Sequence, residues 1–242
     1  MRTRNLIVWL TLCLLAPACA DETPVDDSTR VAPATETHGE KQVRAMVADR
    51  PEMARIVSPG DPVWNWVARR FDGEGYSFRI YWDGATSASE AVASHDSPFQ
   101  GLGARIRVAP RDKTRRGAEW SWMLAVYELL NQAGSFQFEN MYQQALEGRV
   151  SRSDYLKGTM RIEYWALKRL RYFGLTIWKE HAKSRGFKPD PRAWRVKLGT
   201  FEEHFDKMSA HGPGQLYMGG ILSRYDRKIV PHLKRMEIPI PK

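Results

Sequence analysis

The segment WSWMLAVYELLNQ, residues 120–132, carries apolar side chains at every position from 122 to 126 and again at 129 and 130. A surface helix keeps one polar side, so a run with no solvated side at its centre marks a helix enclosed by the rest of the chain. That helix is expected at about 117–133. One residue breaks the apolar run, Glu128. A carboxylate taken out of water must find hydrogen-bond donors, a cation or a metal, or else take up a proton.

Outward from this helix, the chain punctuates itself clearly. DPVWNWVARRFDG, residues 61–73, predicts a short helix with Asp61 at its cap and Pro62 in its first turn. YSFRIYWDG, residues 76–84, alternates as a strand and ends in a DG turn signal. Residues 84–103 are small and polar, a loop with one helical turn at ASEAVAS. GARIRVAP, residues 103–110, sets Ala104, Ile106 and Val108 against Arg105 and Arg107, the pattern of a half-buried strand.

The remainder reads as helix at 136–147, 152–184, 198–209 and 219–234. Gly148 is a stop signal and SRSD at 151–154 a start signal resembling a capping box. The expected class is mainly α (α+β), a helical domain with a small antiparallel sheet.

The long helix repeats the motif of an acid on an apolar stripe. Met160, Glu163, Leu167, Leu170, Gly174 and Ile177 follow the three-then-four spacing of one face. Glu128 and Glu163 are therefore the candidate site. Tyr127 and Asn131 flank Glu128, and Asn131 and Ser121 share its face. Arg161, Lys168, Arg169 and Arg171 are expected to supply compensating charge.

A strand (GARIRVAP), a loop, a helix bearing YELLN at 127–131 and a later helix bearing IEYWAL at 162–167 resemble the layout of gluzincin-type zinc metallopeptidases. The first helix of that family carries His-Glu-x-x-His and the second donates a glutamate. The resemblance spans residues 76–180. It implies a zincin-like strand–helix–helix core, with Glu128 at the general-base position and Glu163 at the third-ligand position. Tyr127 and Asn131 stand where the two histidines belong. Neutral imidazoles are what hold zinc in such a site, so no zinc and no other cofactor is expected here.

Elsewhere His204 and His211 are seven apart, with GPG at 212–214 ending their helix; His95 with Asp96 reads as a loop pair, His181 and His232 as isolated surface or capping residues, and His38 as solvated. Trp120, Trp122, Trp165, Trp178 and Trp194 read as core.

The chain opens MRTRNLIVWLTLCLLAPACADE, with Arg2 and Arg4 before an apolar run and then small residues, the layout of a secretory leader over residues 1–20. LAPAC resembles the lipobox of bacterial lipoproteins, which implies acylation of Cys19; cleavage after Ala18 or Ala20 is the other reading and gives a secreted or periplasmic protein. Both cysteines lie in the leader, leaving the domain without a disulfide. Residues 21–49, acidic and without aromatics, are expected to form a flexible tether, and residues 50–242 one helical domain.

Lys and Arg number 37 against 28 Asp and Glu, and loss of Arg2 and Arg4 with the leader lowers the net charge from +9 to +7. Between Arg149 and Lys197 there are 14 Lys or Arg against Asp154, Glu163, Glu180 and Asp190. Such a surface suits an anionic envelope surface or polymer, and nucleic acid is not an expected partner. Two functions follow as expectations: a non-catalytic envelope-associated protein, a pseudo-metallopeptidase, or an envelope glycan hydrolase using Glu128 and Glu163 as acid and base.

Overall fold

The computed structural model describes residues 35–84, 93–100, 103–111, 113–194, 198–210 and 212–241. The leader with Cys19, the first part of the spacer and His211 lie outside the described residues, as does most of ASEAVAS.

From Glu36 onward the chain forms one contact unit. It begins with a correction to the tether. Helix α1, His38–Asp49, is closed by a reciprocal capping box between Thr37 and Glu40, and it buries Gly39, Val43 and Met46. The composition of this stretch resembles a solvated spacer, yet Thr37 and Glu40 carry the spacing of a helix start. His38 is not free in solvent, since its Nε2 lies 2.9 Å from the Ile80 carbonyl. After a 3-10 turn at Pro51–Arg55, helix α2, Pro62–Phe71, packs Val63, Trp64, Val67 and Phe71 inward. Asp61 stands at the cap position, but its carboxylate turns to the Ser58 amide and to Arg185.

The sheet has three strands, β1 (Ile80–Trp82), β2 (Ala93–Asp96) and β3 (Ala104–Val108), in the order β1-β3-β2. β3 alternates as expected, with Ala104, Ile106 and Val108 buried. Arg105 and Arg107 face the other way, and Arg107 bridges Asp83 and Asp96 at 2.5 and 2.6 Å. The pairing corrects the antiparallel expectation. β2, in the segment read as loop, is the antiparallel neighbour of β3, whereas β1 pairs with β3 in parallel.

Helix α3, Arg115–Gln132, crosses the core as the apolar run requires, and Trp122, Ala125, Val126 and Leu129 are fully enclosed. It is tied at both ends. Ser121 Oγ donates to Glu52 Oε1 at 2.8 Å and Trp122 Nε1 to the Met53 carbonyl at 3.1 Å. At the other end Gln132 Nε2 donates to the carbonyls of Asp96 and Arg105, at 2.8 and 3.1 Å. Those two residues are register partners across β2 and β3.

Helix α4, Ser135–Leu146, ends before Gly148, which takes the left-handed conformation that the stop signal implies. The long helix is α5, Arg152–Phe173, which passes through a π turn at Gly174–Trp178 into α6, Lys179–Ser184. Ser151 caps it by accepting from the Asp154 amide. A short α7, Pro191–Trp194, precedes α8, Phe201–Ala210, which ends where predicted. GPG, however, opens a new helix, α9 (Gly212–Arg224), which continues through a second π turn into α10 (Val230–Arg235). A satellite cluster of Ala145, Tyr155, Tyr225, Ile229 and Leu233 holds this end together. Trp122, Trp178 and Trp194 are core as expected, but Trp165 is 54% exposed. Among the described residues no helix is long and apolar enough to cross a membrane.

Candidate functional site

α3 presents Tyr127, Glu128 and Asn131, and each meets a different environment. Glu128 is 5% exposed, and its Oε2 lies 2.7 Å from His95 Nδ1. A carboxylate oxygen accepts, so Nδ1–H is the donor in this bond. His95 reaches this point from β2, where it pairs with Ile106 of β3, while the Gln132 clamp fixes α3 against the same strands. The histidine expected in a loop is thus a strand residue and the partner of the candidate carboxylate.

Glu163, from α5, is held by two phenols. Tyr127 donates to its Oε2 at 2.7 Å, and Tyr217 of α9 donates to its Oε1. Two of the cations expected to supply compensating charge have other partners: Lys168 lies over the exposed Trp165 ring, and Arg161 over Phe201 with Glu202 at 3.8 Å. Ser121 is likewise committed to Glu52, so it does not join the site. Asn131 is 2% exposed, and its Oδ1 has no hydrogen-bond partner among the described residues.

The electrostatics follow from this enclosure. Burial drives the Glu163 carboxyl above the ordinary carboxylate range, and the hydrogen bonds from Tyr217 and Tyr127 and the charge of His95 offset only part of that rise. Burial, and then the charges of Glu163 and Glu128, hold Tyr127 well above its ordinary value, and Tyr217, although 40% exposed overall, is raised by desolvation of its hydroxyl and by the charge of Glu163. Both phenols therefore stay protonated and act as donors. Burial opposes charging of His95, but the hydrogen bond and charge of Glu128, with Glu163 and Asp96 beyond, raise its pKa overall.

A pH dependence follows. A histidine whose folded-state pKa exceeds its unfolded value of about 6.5 lends stability that is complete below that pH and lost as pH rises through the folded-state pKa. Stability to urea is expected to fall as pH rises above about 6.5, with a limiting slope of about 1.4 kcal/mol per pH unit for one proton. His95→Gln should flatten that slope. An identical slope in wild type and variant would show that His95 does not titrate differently on folding.

α3 buries a second carboxylate that the sequence reading did not single out. Glu119 is fully enclosed, with Oε2 accepting from the Asp190 amide at 2.8 Å and from Trp178 Nε1 at 3.3 Å, and with Arg115 3.7 Å from Oε1. Burial raises its pKa, the bonds working against that. This is an anchor for the 185–190 loop, with every named contact internal. His181, expected at the surface, is also buried, with Nε2 2.8 Å from the Ile56 carbonyl.

The site does not fit the zinc that the family resemblance implies. Tyr127 keeps its proton and spends it on Glu163, and Asn131 offers only a neutral amide. Among the described residues no three His, Cys, Asp or Glu side chains stand together at metal-binding geometry. Comparison of the chain with protein families, curated proteins and solved structures returns no match.

Proposed function

We propose that the chain is an exported, envelope-associated protein with a non-catalytic binding or structural role, on a core that resembles a zincin whose metal positions have passed to internal hydrogen bonds. The observation that carries this reading is the 2.7 Å bond from Tyr127 to Glu163. In the family pattern those two positions converge on a metal; here they converge on each other. His95 absorbs Glu128, and Tyr217 takes the other oxygen of Glu163, so both carboxylates are engaged by the protein itself. Export rests on the leader, and membrane attachment on the lipobox-like LAPAC, with a secreted or periplasmic product if Cys19 is not acylated.

The test is metal content and hydrolysis. Purified chain is expected to carry less than about a tenth of an equivalent of zinc, and Glu128→Gln to leave peptidase activity at the same background. Stoichiometric zinc, or a peptidase lost in that variant, would refute the reading. Export is tested separately by fractionating cells and by mass spectrometry of the mature N-terminus.

One observation favours the glycan hydrolase instead. Glu163 is pushed toward its protonated form beside a second carboxylate, the condition for a general acid. Release of fragments from purified cell-wall glycan, abolished by Glu163→Gln, is the result that would establish it.

A further inference from the structure

We infer that the outward face of α5 and α6 docks on an anionic lipid bilayer. This names the partner of the envelope reading above and rests on that reading for its setting. Trp165, Tyr172 and Leu175 are 54, 68 and 48% exposed, although the opposite side of the same helices supplies Leu170, Phe173 and Trp178 to the core. Single exposed apolar residues are ordinary on protein surfaces. These three are in register. With Lys168, Lys179 and Lys183 they fall at 165, 168, 172, 175, 179 and 183, spaced by three or four residues on the exposed side that α5, the π turn at Gly174–Trp178 and α6 share, a strip roughly 25 Å long.

The charge on the stripe selects the occupant. From 161 to 185 the chain has seven Lys or Arg, and its only acids are Glu163, turned inward to the tyrosines, and Glu180. Lys168, Lys179 and Lys183 have no acidic partner within 4 Å among the described residues. Lys168 Nζ instead lies 4.5 Å from the centre of the Trp165 ring. Aromatic rings with a polar edge and lysines with long apolar stems are the side chains that settle at a membrane–water boundary, ring in the headgroups and ammonium on the phosphates. A second copy of the same face would bring like charges together. A soluble polyanion would use the lysines but not the exposed apolar side chains.

The test is sedimentation of the exported chain, purified with Cys19→Ser so that no acyl group contributes, with vesicles of phosphatidylglycerol or of phosphatidylcholine. Binding is expected to the first and to fall as salt rises, with little to the second. Lys168→Gln/Lys179→Gln/Lys183→Gln is expected to weaken it about a hundredfold, at roughly fivefold per cation near an anionic surface. Trp165→Ser/Tyr172→Ser should weaken it about tenfold or more. These side chains are exposed, and circular dichroism checks that each variant is folded. Equal binding to both lipids, no binding to either, or variants that bind as wild type does would overturn the proposal. So would competition by polyglutamate that leaves the aromatic variant indistinguishable from wild type. Failure here would leave the metal and peptidase tests untouched, so the two readings can fall separately.

Discussion

Replacing Tyr127 and Asn131 together with histidine is expected to convert a chain holding less than about a tenth of an equivalent of zinc into one holding about one equivalent. Positions four apart on a helix share a face, and Tyr127 already points at Glu163, as their 2.7 Å bond requires. Imidazole in place of the phenol removes the donor that occupies that carboxylate. Imidazole in place of the Asn131 amide adds a metal-binding nitrogen where a buried Oδ1 has no hydrogen-bond partner among the described residues. The two histidines with Glu163 then make the three-ligand set of a zinc site. Zinc at a hundred times its dissociation constant would stabilise the variant by about 2.7 kcal/mol, visible as a rise in melting temperature that wild type does not share. Adding Glu163→Gln should abolish the gain. A double variant that stays free of zinc, or keeps it after Glu163→Gln, would show that α3 and α5 are not juxtaposed as in the metallopeptidase design.

The second large effect lies far from that site. Gly39→Ala in a helix ordinarily stabilises by up to about 1 kcal/mol, because glycine has more freedom to lose on folding. At this position the sign is expected to reverse. A Cβ on Gly39 would come within 1.8 Å of the Ala68 carbonyl oxygen of α2, a backbone atom that moves only if the helices separate. The Gly39 amide also donates to Asp72 Oδ1 at 2.7 Å, which holds α1 in that close approach. The expected cost is about 3 kcal/mol, or roughly 6–12 °C in melting temperature for a unit of this size. A neutral or stabilising Gly39→Ala would mean that α1 does not pack on α2, and that the tether runs on to residue 49 as its composition suggests.

α1 shows why composition misleads there. Its helix buries two large apolar side chains, Val43 and Met46, too few to raise the average of an acidic, Thr- and Pro-rich neighbourhood. The sheet is a second case. The alternation of GARIRVAP was legible and β3 follows it, but nothing in ASHD distinguishes a strand from a loop, so β2 and with it the parallel pairing of β1 went unread. Trp165 is the third. An aromatic residue on an amphipathic helix is ordinarily core, and only the direction in which α5 packs turns it outward.

The residues themselves determined that α3 and α5 are helices with an acid set on an apolar face, because periodicity is a property of neighbouring residues and needs no knowledge of the rest of the chain. The tertiary structure alone decided what those acids meet. His95 comes to Glu128 from 33 residues earlier, and Tyr217 to Glu163 from 54 residues later. Neither carries a local signal: His95 sits in a short polar strand, and Tyr217 lies ahead of the helix predicted from 219. Which donor closes on a buried carboxylate depends on how distant segments pack around it, and at this site that packing supplied an imidazole and two phenols.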